Sequence, residues 1–243
     1  MYGWRARVGL LLPIDNAVME PELYNVKGLE GVAFYGTRLT TDVRENMPEN
    51  GIQLSKLFKD LGSDVIVYCC AETAFLKGVD GNEYISNQIT QLTGQPAVTA
   101  MSAKVEALKH LQIKNISLVT PYTDARNQVL KDFFNRMGIK VSGSVNRDFS
   151  ENSSDEREWY ECNVQPPNIA YQMALEANTK ESEAIVISAT NFRTFEIIKD
   201  LEDITGKPVI TTNQAILWSV FRKLNLPINL PDYGKLLTNV MVD

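Results

Sequence analysis

The sequence predicts an α/β protein of two similar modules, each a mainly parallel four-stranded sheet flanked by helices, with a functional cleft between them. Three observations carry this. Short apolar runs rich in Val, Ile and Leu alternate with longer segments of helical spacing, the pattern of buried parallel strands joined by crossover helices. Eight such runs are too many for one small sheet and suit two sheets of four. Three pieces of the first half also recur, in order, about 110 residues later.

In chain order, strands are expected over residues 7–12, 32–36, 65–69, 97–99, 116–120, 139–142, 184–188 and 209–211. Val8-Gly-Leu-Leu-Leu-Pro13 reads like Ile116-Ser-Leu-Val-Thr-Pro121, an apolar strand closed by proline. Asp64-Val-Ile-Val-Tyr-Cys-Cys70 reads like Glu183-Ala-Ile-Val-Ile-Ser-Ala189, an acidic residue and then a strand ending in small residues. Gly94-Gln-Pro-Ala-Val-Thr99 matches Gly206-Lys-Pro-Val-Ile-Thr211, each followed by a helix. The first module is expected over 1–105 and the second over 106–220, with 221–243 crossing back to the first. Ligands of open α/β sheets bind beyond the carboxyl ends of strands, where these repeated turns lie. The stretch from Arg147 to Glu158 is the most polar in the chain and has no counterpart in the first half. It reads as a solvated insertion or as a loop covering the substrate.

Composition narrows the function. At 243 residues, 44% hydrophobic and 22% charged, the chain is a globular protein with room for a large core rather than a fibre or a disordered chain. Its 24 basic and 30 acidic residues leave a net charge of -6, so nucleic acid is not an expected partner. The N-terminus holds too short an apolar run for a membrane span and no small-residue cleavage site, and a cytoplasmic protein is expected. Three cysteines, two of them adjacent, argue for free thiols rather than a disulfide framework. The single histidine, His110, falls in an amphipathic run and reads as a surface helix position; no metal site is expected. Neither a dinucleotide fingerprint nor a phosphate-binding loop is present, so chemistry without a cofactor leads among enzyme classes.

What remains at the strand ends is Pro13-Ile-Asp-Asn16, Cys69-Cys-Ala-Glu-Thr73, Pro121-Tyr122 and Ser188-Ala-Thr-Asn191. Cys70 stands out. A cysteine just past a buried strand, where a helix begins, has amides and a positive helix end to stabilise a thiolate and lower its pKa. Cys69, one step back, should point the other way into packing. Cys162, before Pro166 and Pro167, reads as incidental.

These turns, together with Ala100-Met-Ser102, Thr120-Pro-Tyr122 and Ser188-Ala-Thr-Asn-Phe-Arg193 followed by Gly206-Lys-Pro208, resemble the aspartate/glutamate racemase superfamily over nearly the whole chain. Within it the resemblance is closest to the maleate cis-trans isomerase and arylmalonate decarboxylase branch. It implies pseudo-symmetric modules, no cofactor, and up to two catalytic cysteines on opposite faces of a bound carboxylate. Cys70 matches the first cysteine and Ala189 stands at the second. Maleate isomerases of the branch carry both, the first attacking the double bond; the decarboxylases carry only the second. Asn16 and Tyr122 match substrate-holding residues, and with Thr190, Asn191 and the turn at Ala71 would grip a carboxylate. Asp15 and Glu72 replace smaller residues: facing the cleft, they would repel a dicarboxylate or carry a proton, and otherwise they are a helix N-cap and a first-turn partner of the helix dipole.

The expected function is a cofactor-independent isomerase of the maleate cis-trans type acting on a small carboxylic acid, as a homo-oligomer, in all expectation a dimer. A decarboxylase-like lyase, an amino-acid racemase and a non-catalytic carboxylate-binding module are the alternatives.

Overall fold

The computed structural model describes residues 2–76, 78–150 and 160–240. Its strands are β1 (Ala6–Leu12), β2 (Val32–Arg38), β3 (Val65–Tyr68), β4 (Ala97–Thr99), β5 (Asn115–Thr120), β6 (Lys140–Asn146), β7 (Ala184–Ile187) and β8 (Val209–Thr211). The helices are α1 (Met19–Tyr24), α2 (Met47–Leu54), α3 (Lys56–Leu61), α4 (Ala71–Leu76), α5 (Gly78–Thr93) and α6 (Ala100–His110) in the first half. The second half holds α7 (Asp124–Arg136), α8 (Tyr160–Val164), α9 (Pro167–Ala177), α10 (Ile198–Thr205) and α11 (Thr212–Lys223). Among the described residues no helix is long and apolar enough to cross a membrane.

Two sheets form, ordered β2-β1-β3-β4 and β6-β5-β7-β8, and every pairing within them is parallel. The same order twice is the structural counterpart of the repeated sequence. The central strands β3 and β7 are buried at every position, as their unbroken aliphatic runs require of strands covered on both faces. The third repeat is a helix stop, a strand and a helix start. Gly94 and Gly206, at φ +76° and +71°, end α5 and α10 in the left-handed conformation that glycine adopts without strain. Thr99 and Thr211 then cap α6 and α11, each hydroxyl accepting from the amide three residues on, where Ser102 and Gln214 reach back to close a capping box. The strand expected to run to Cys69 stops at Tyr68, its last residue paired with Thr99, because the chain turns there into α4.

The modules are joined through α6 and α11, where Ser219 donates to Glu106 at 3.1 Å. His110, exposed on α6 as expected, lies against Trp218 with ring centroids 5.2 Å apart. The last segment touches both halves: Tyr233 accepts from the Lys27 amide at 3.1 Å, while the Lys235 amide donates to Glu202 at 2.8 Å. Most of the polar 147–158 stretch lies outside the described residues.

Glu22 of α1 forms a second tie. Its carboxylate is buried and accepts from the amides of Thr194 and Phe195, at 2.5 and 3.1 Å, and from the Asn213 side chain at 2.7 Å. Burial nonetheless pushes its pKa up to about 7 against three lowering hydrogen bonds. The folded protein therefore holds this proton more tightly than the unfolded chain, and stability is lost as pH rises from the ordinary carboxylate range through about 7. The loss should be roughly 3 kcal/mol, at about 1.4 kcal/mol per pKa unit. Urea midpoints between pH 4.5 and 8 should show that fall in the wild type and a shallower one in Glu22→Gln; equal slopes would remove Glu22 as the cause.

Candidate active site

The carboxyl ends of β1, β3, β5 and β7 converge on one narrow cleft enclosing about 400 Å³, open solvent at its mouth included. Of the residues expected there, Asp15, Asn16, Cys70, Ala71, Glu72, Tyr122, Thr190 and Asn191 line it. Ala189 does not. It is 3% exposed and sits among core side chains, and the wall on that side begins at Thr190.

Cys70 lies two residues past the end of β3, immediately before α4, and is 6% exposed. Cys69 points to the opposite packing layer, as strand alternation dictates, and its thiol donates to the Val67 carbonyl at 3.4 Å. The anticipated lowering of the Cys70 pKa is not found. Burial raises it to about 11, outweighing the Thr73 hydroxyl and amide, which both favour the thiolate; the nearby charge of Glu72 adds to the rise. At rest Cys70 is a neutral thiol, and α4, six residues long, is too short a dipole to reverse that. Cys162 is not incidental in its placement either: it is buried on α8, near enough to Asp15 and Tyr122 for their charges to interact.

The two carboxylates feared as repulsive take different roles. Glu72 is clamped by two arginines, Arg44 Nε at 2.9 Å and Arg126 Nε at 2.7 Å. Glu72 is thus a paired carboxylate rather than a bare charge facing the ligand; Arg44 lines the cleft beside it, and so does Asp15. Asp15 is not the N-cap of α1. That place is taken by Val18, and Asn16 braces the approach to the helix, its Oδ1 accepting from the amides of Val18 and Met19 at 3.1 and 3.0 Å. The Asn16 Nδ2 donates to Thr190 across the cleft at 3.1 Å. Its oxygen is thus committed to the helix, leaving only N–H groups for a ligand.

Tyr122 lies two residues past the end of β5, buried against Phe75 with centroids 5.8 Å apart. Burial first, then the charge of Glu72, holds its pKa well above the ordinary value, so its hydroxyl stays protonated and able to donate. Thr73 belongs to the Cys69–Thr73 turn, but Arg44, Met47 and Arg126 went unnoticed in the sequence. They lie on a loop and at helix starts without any repeated pattern, and only the fold brings Arg44 and Met47 to the cleft and Arg126 to Glu72. Among the described residues no three of His, Cys, Asp or Glu are grouped to hold a metal ion.

Two sheets of identical order meeting at a cleft that carries a thiol, a protonated tyrosine and an arginine-paired carboxylate define a duplicated α/β protein with its site at the strand ends. The chain matches the arylmalonate decarboxylase family over residues 8–237 and belongs to it. It is 22% identical to a maleate isomerase from Geobacillus stearothermophilus, over 96% of this chain and 97% of the relative. In fold it superposes with TM-score 0.87 on a cysteine-to-alanine variant of maleate isomerase from Pseudomonas putida S16 solved with maleate, at 22% identity over 98% and 99% of the two chains. The Nocardia farcinica maleate cis-trans isomerase, as a cysteine-to-serine variant carrying a covalently bound succinylcysteine intermediate, superposes with TM-score 0.85 at 21% identity over 96% and 98%.

Proposed function

We propose that this protein is a cofactor-independent cis-trans isomerase of maleate, with Cys70 as the nucleophile. The observation that carries the reading is the Cys70 thiol on the wall of a narrow cleft that Arg44, Tyr122, Thr190 and Asn191 also line. The Cys70 S–H bond breaks, its proton is held by the protein until release, and the sulfur adds to one alkene carbon of maleate while the electron pair of the double bond moves onto the other alkene carbon and its carboxylate. Rotation about the resulting single bond follows. The pair then returns, the C–S bond breaks, and fumarate leaves with Cys70 regenerated. Donors that bind the charge building on that carboxylate lower the barrier, and the Tyr122 hydroxyl, the Asn16 and Asn191 amides and the start of α4 are the groups available. The succinylcysteine of the Nocardia relative is an adduct of this kind.

Proton NMR of maleate with protein alone should show fumarate appearing at equilibrium-limited yield, with aryl malonates unchanged. Decarboxylation of an aryl malonate without maleate turnover would replace this reading by the lyase; neither reaction would favour a binding module.

A further inference from the structure

Lys104 is a buried cation that the scheme above leaves unused. It lies on α6 with no exposed surface, and among the described residues no carboxylate pairs with it. Among the described residues its polar contact is Nζ donating to the Ser188 hydroxyl, the residue just before Ala189. Ser188 in turn is hydrogen-bonded to Tyr122, and Tyr122 lines the cleft. A continuous path of polar atoms therefore runs from a lysine in the core to the wall that holds Cys70.

That path has two hydrogen-bond directions. An ammonium has only donors, so Lys104 in that form donates to Ser188, Ser188 donates to Tyr122, and the Tyr122 O–H points onward as a donor. A neutral amine accepts, the chain reverses, and Tyr122 presents a lone pair instead. Burial alone brings the Lys104 pKa down to about 7, so both forms exist near neutral pH. No charged group on α4, α5 or α11, the helices packed on α6, contributes to that shift. The groups that face the Tyr122 end are Glu72, itself clamped by Arg44 and Arg126, with Cys70 and Cys162; Asp15 lies beyond Cys162.

We propose that Lys104 is a positioning residue that takes up the Cys70 proton during turnover, through Tyr122 and Ser188, in the place of the thiol missing at residue 189. The inference rests on the isomerase reading. As the sulfur attacks, the S–H proton passes to Tyr122, the Tyr122 proton to Ser188 and the Ser188 proton to the Lys104 amine, giving an ammonium. When the C–S bond breaks the three protons return, so nothing is consumed. A dianionic substrate favours the ammonium, which draws the proton inward when substrate is bound.

Two readouts test this, and one needs no substrate. Alkylation of Cys70 by iodoacetamide, followed by peptide mass, should rise with pH through an inflection near 7 in the wild type. Lys104→Met, which keeps the volume and removes the charge, and Ser188→Ala, which cuts the path but leaves the lysine, should both lose that inflection. With maleate, Lys104→Met should lower kcat by about 10²-fold with KM little changed, the scale of a positioned proton acceptor. Wild-type pH profiles in both variants would overturn the proposal. Should the variants fold poorly, carbon NMR of labelled lysines in the wild type decides: one titrating near pH 7 supports the relay, and none below about 9 overturns it. Loss of the alkylation inflection in a protein that never converts maleate would support the relay and overturn the isomerase reading, so the two failures stay distinct.

Discussion

Cys70→Ala should abolish maleate isomerisation, a loss of about 10⁴-fold or more, the scale seen when a covalent nucleophile is removed from an enzyme. The fold should survive, because the side chain is small and lies on the cleft wall, 6% exposed, rather than filling a gap in the core. Mass spectrometry of the wild type with maleate should show an adduct of one maleic acid on the peptide that contains Cys70, and none in the variant. The missing second thiol sharpens this expectation. Relatives solved with maleate or with succinylcysteine in place are variants in which a cysteine was replaced, and this chain carries Ala189 where the resemblance puts a second one. Turnover remaining in Cys70→Ala, with a circular dichroism spectrum like the wild type, would move the chemistry to another residue.

Much of the fold was readable because parallel strands announce themselves. All eight runs became strands, and the repeated Gly–strand–Thr unit became the same helix stop and helix cap twice, since a left-handed glycine and a capping threonine are local requirements that composition records directly. The strand-end turns were readable for the same reason: their place follows from the strands. What the sequence hid was electrostatic. Nothing near Glu72 in the chain marks Arg44 or Arg126 as its partners, and the pKa of Cys70 depends on how deeply the fold buries it, which no spacing encodes. Lys104 escaped for a related reason. A lysine in an amphipathic helix ordinarily faces water, and only the packing of α6 between the modules turns this one inward.

Glu72→Gln should have the largest effect on stability. The carboxylate is 7% exposed and the two guanidinium groups that clamp it are 18% and 26% exposed, so all three are too dry for water to replace the lost partner fully. Breaking a buried ion pair by removing one member costs about 3 to 5 kcal/mol, and the partial exposure of the arginines places this case at about 3. At about 2 to 4 °C per kcal/mol in a chain of this size, Tm should fall by roughly 6 to 12 °C. The same change takes one negative charge away from Arg44, which lines the cleft, and from Arg126 behind it, so a maleate carboxylate meets less competing charge there. Maleate at about 100 times its Kd would return about 2.7 kcal/mol by mass action. Thermal melts should therefore show Glu72→Gln far below the wild type without ligand, and a larger upward shift with maleate than the wild type shows. The neutral dimethyl ester should give neither protein that extra shift. Two outcomes would refute the clamp as drawn: an unchanged Tm, or a maleate shift no greater than with the ester.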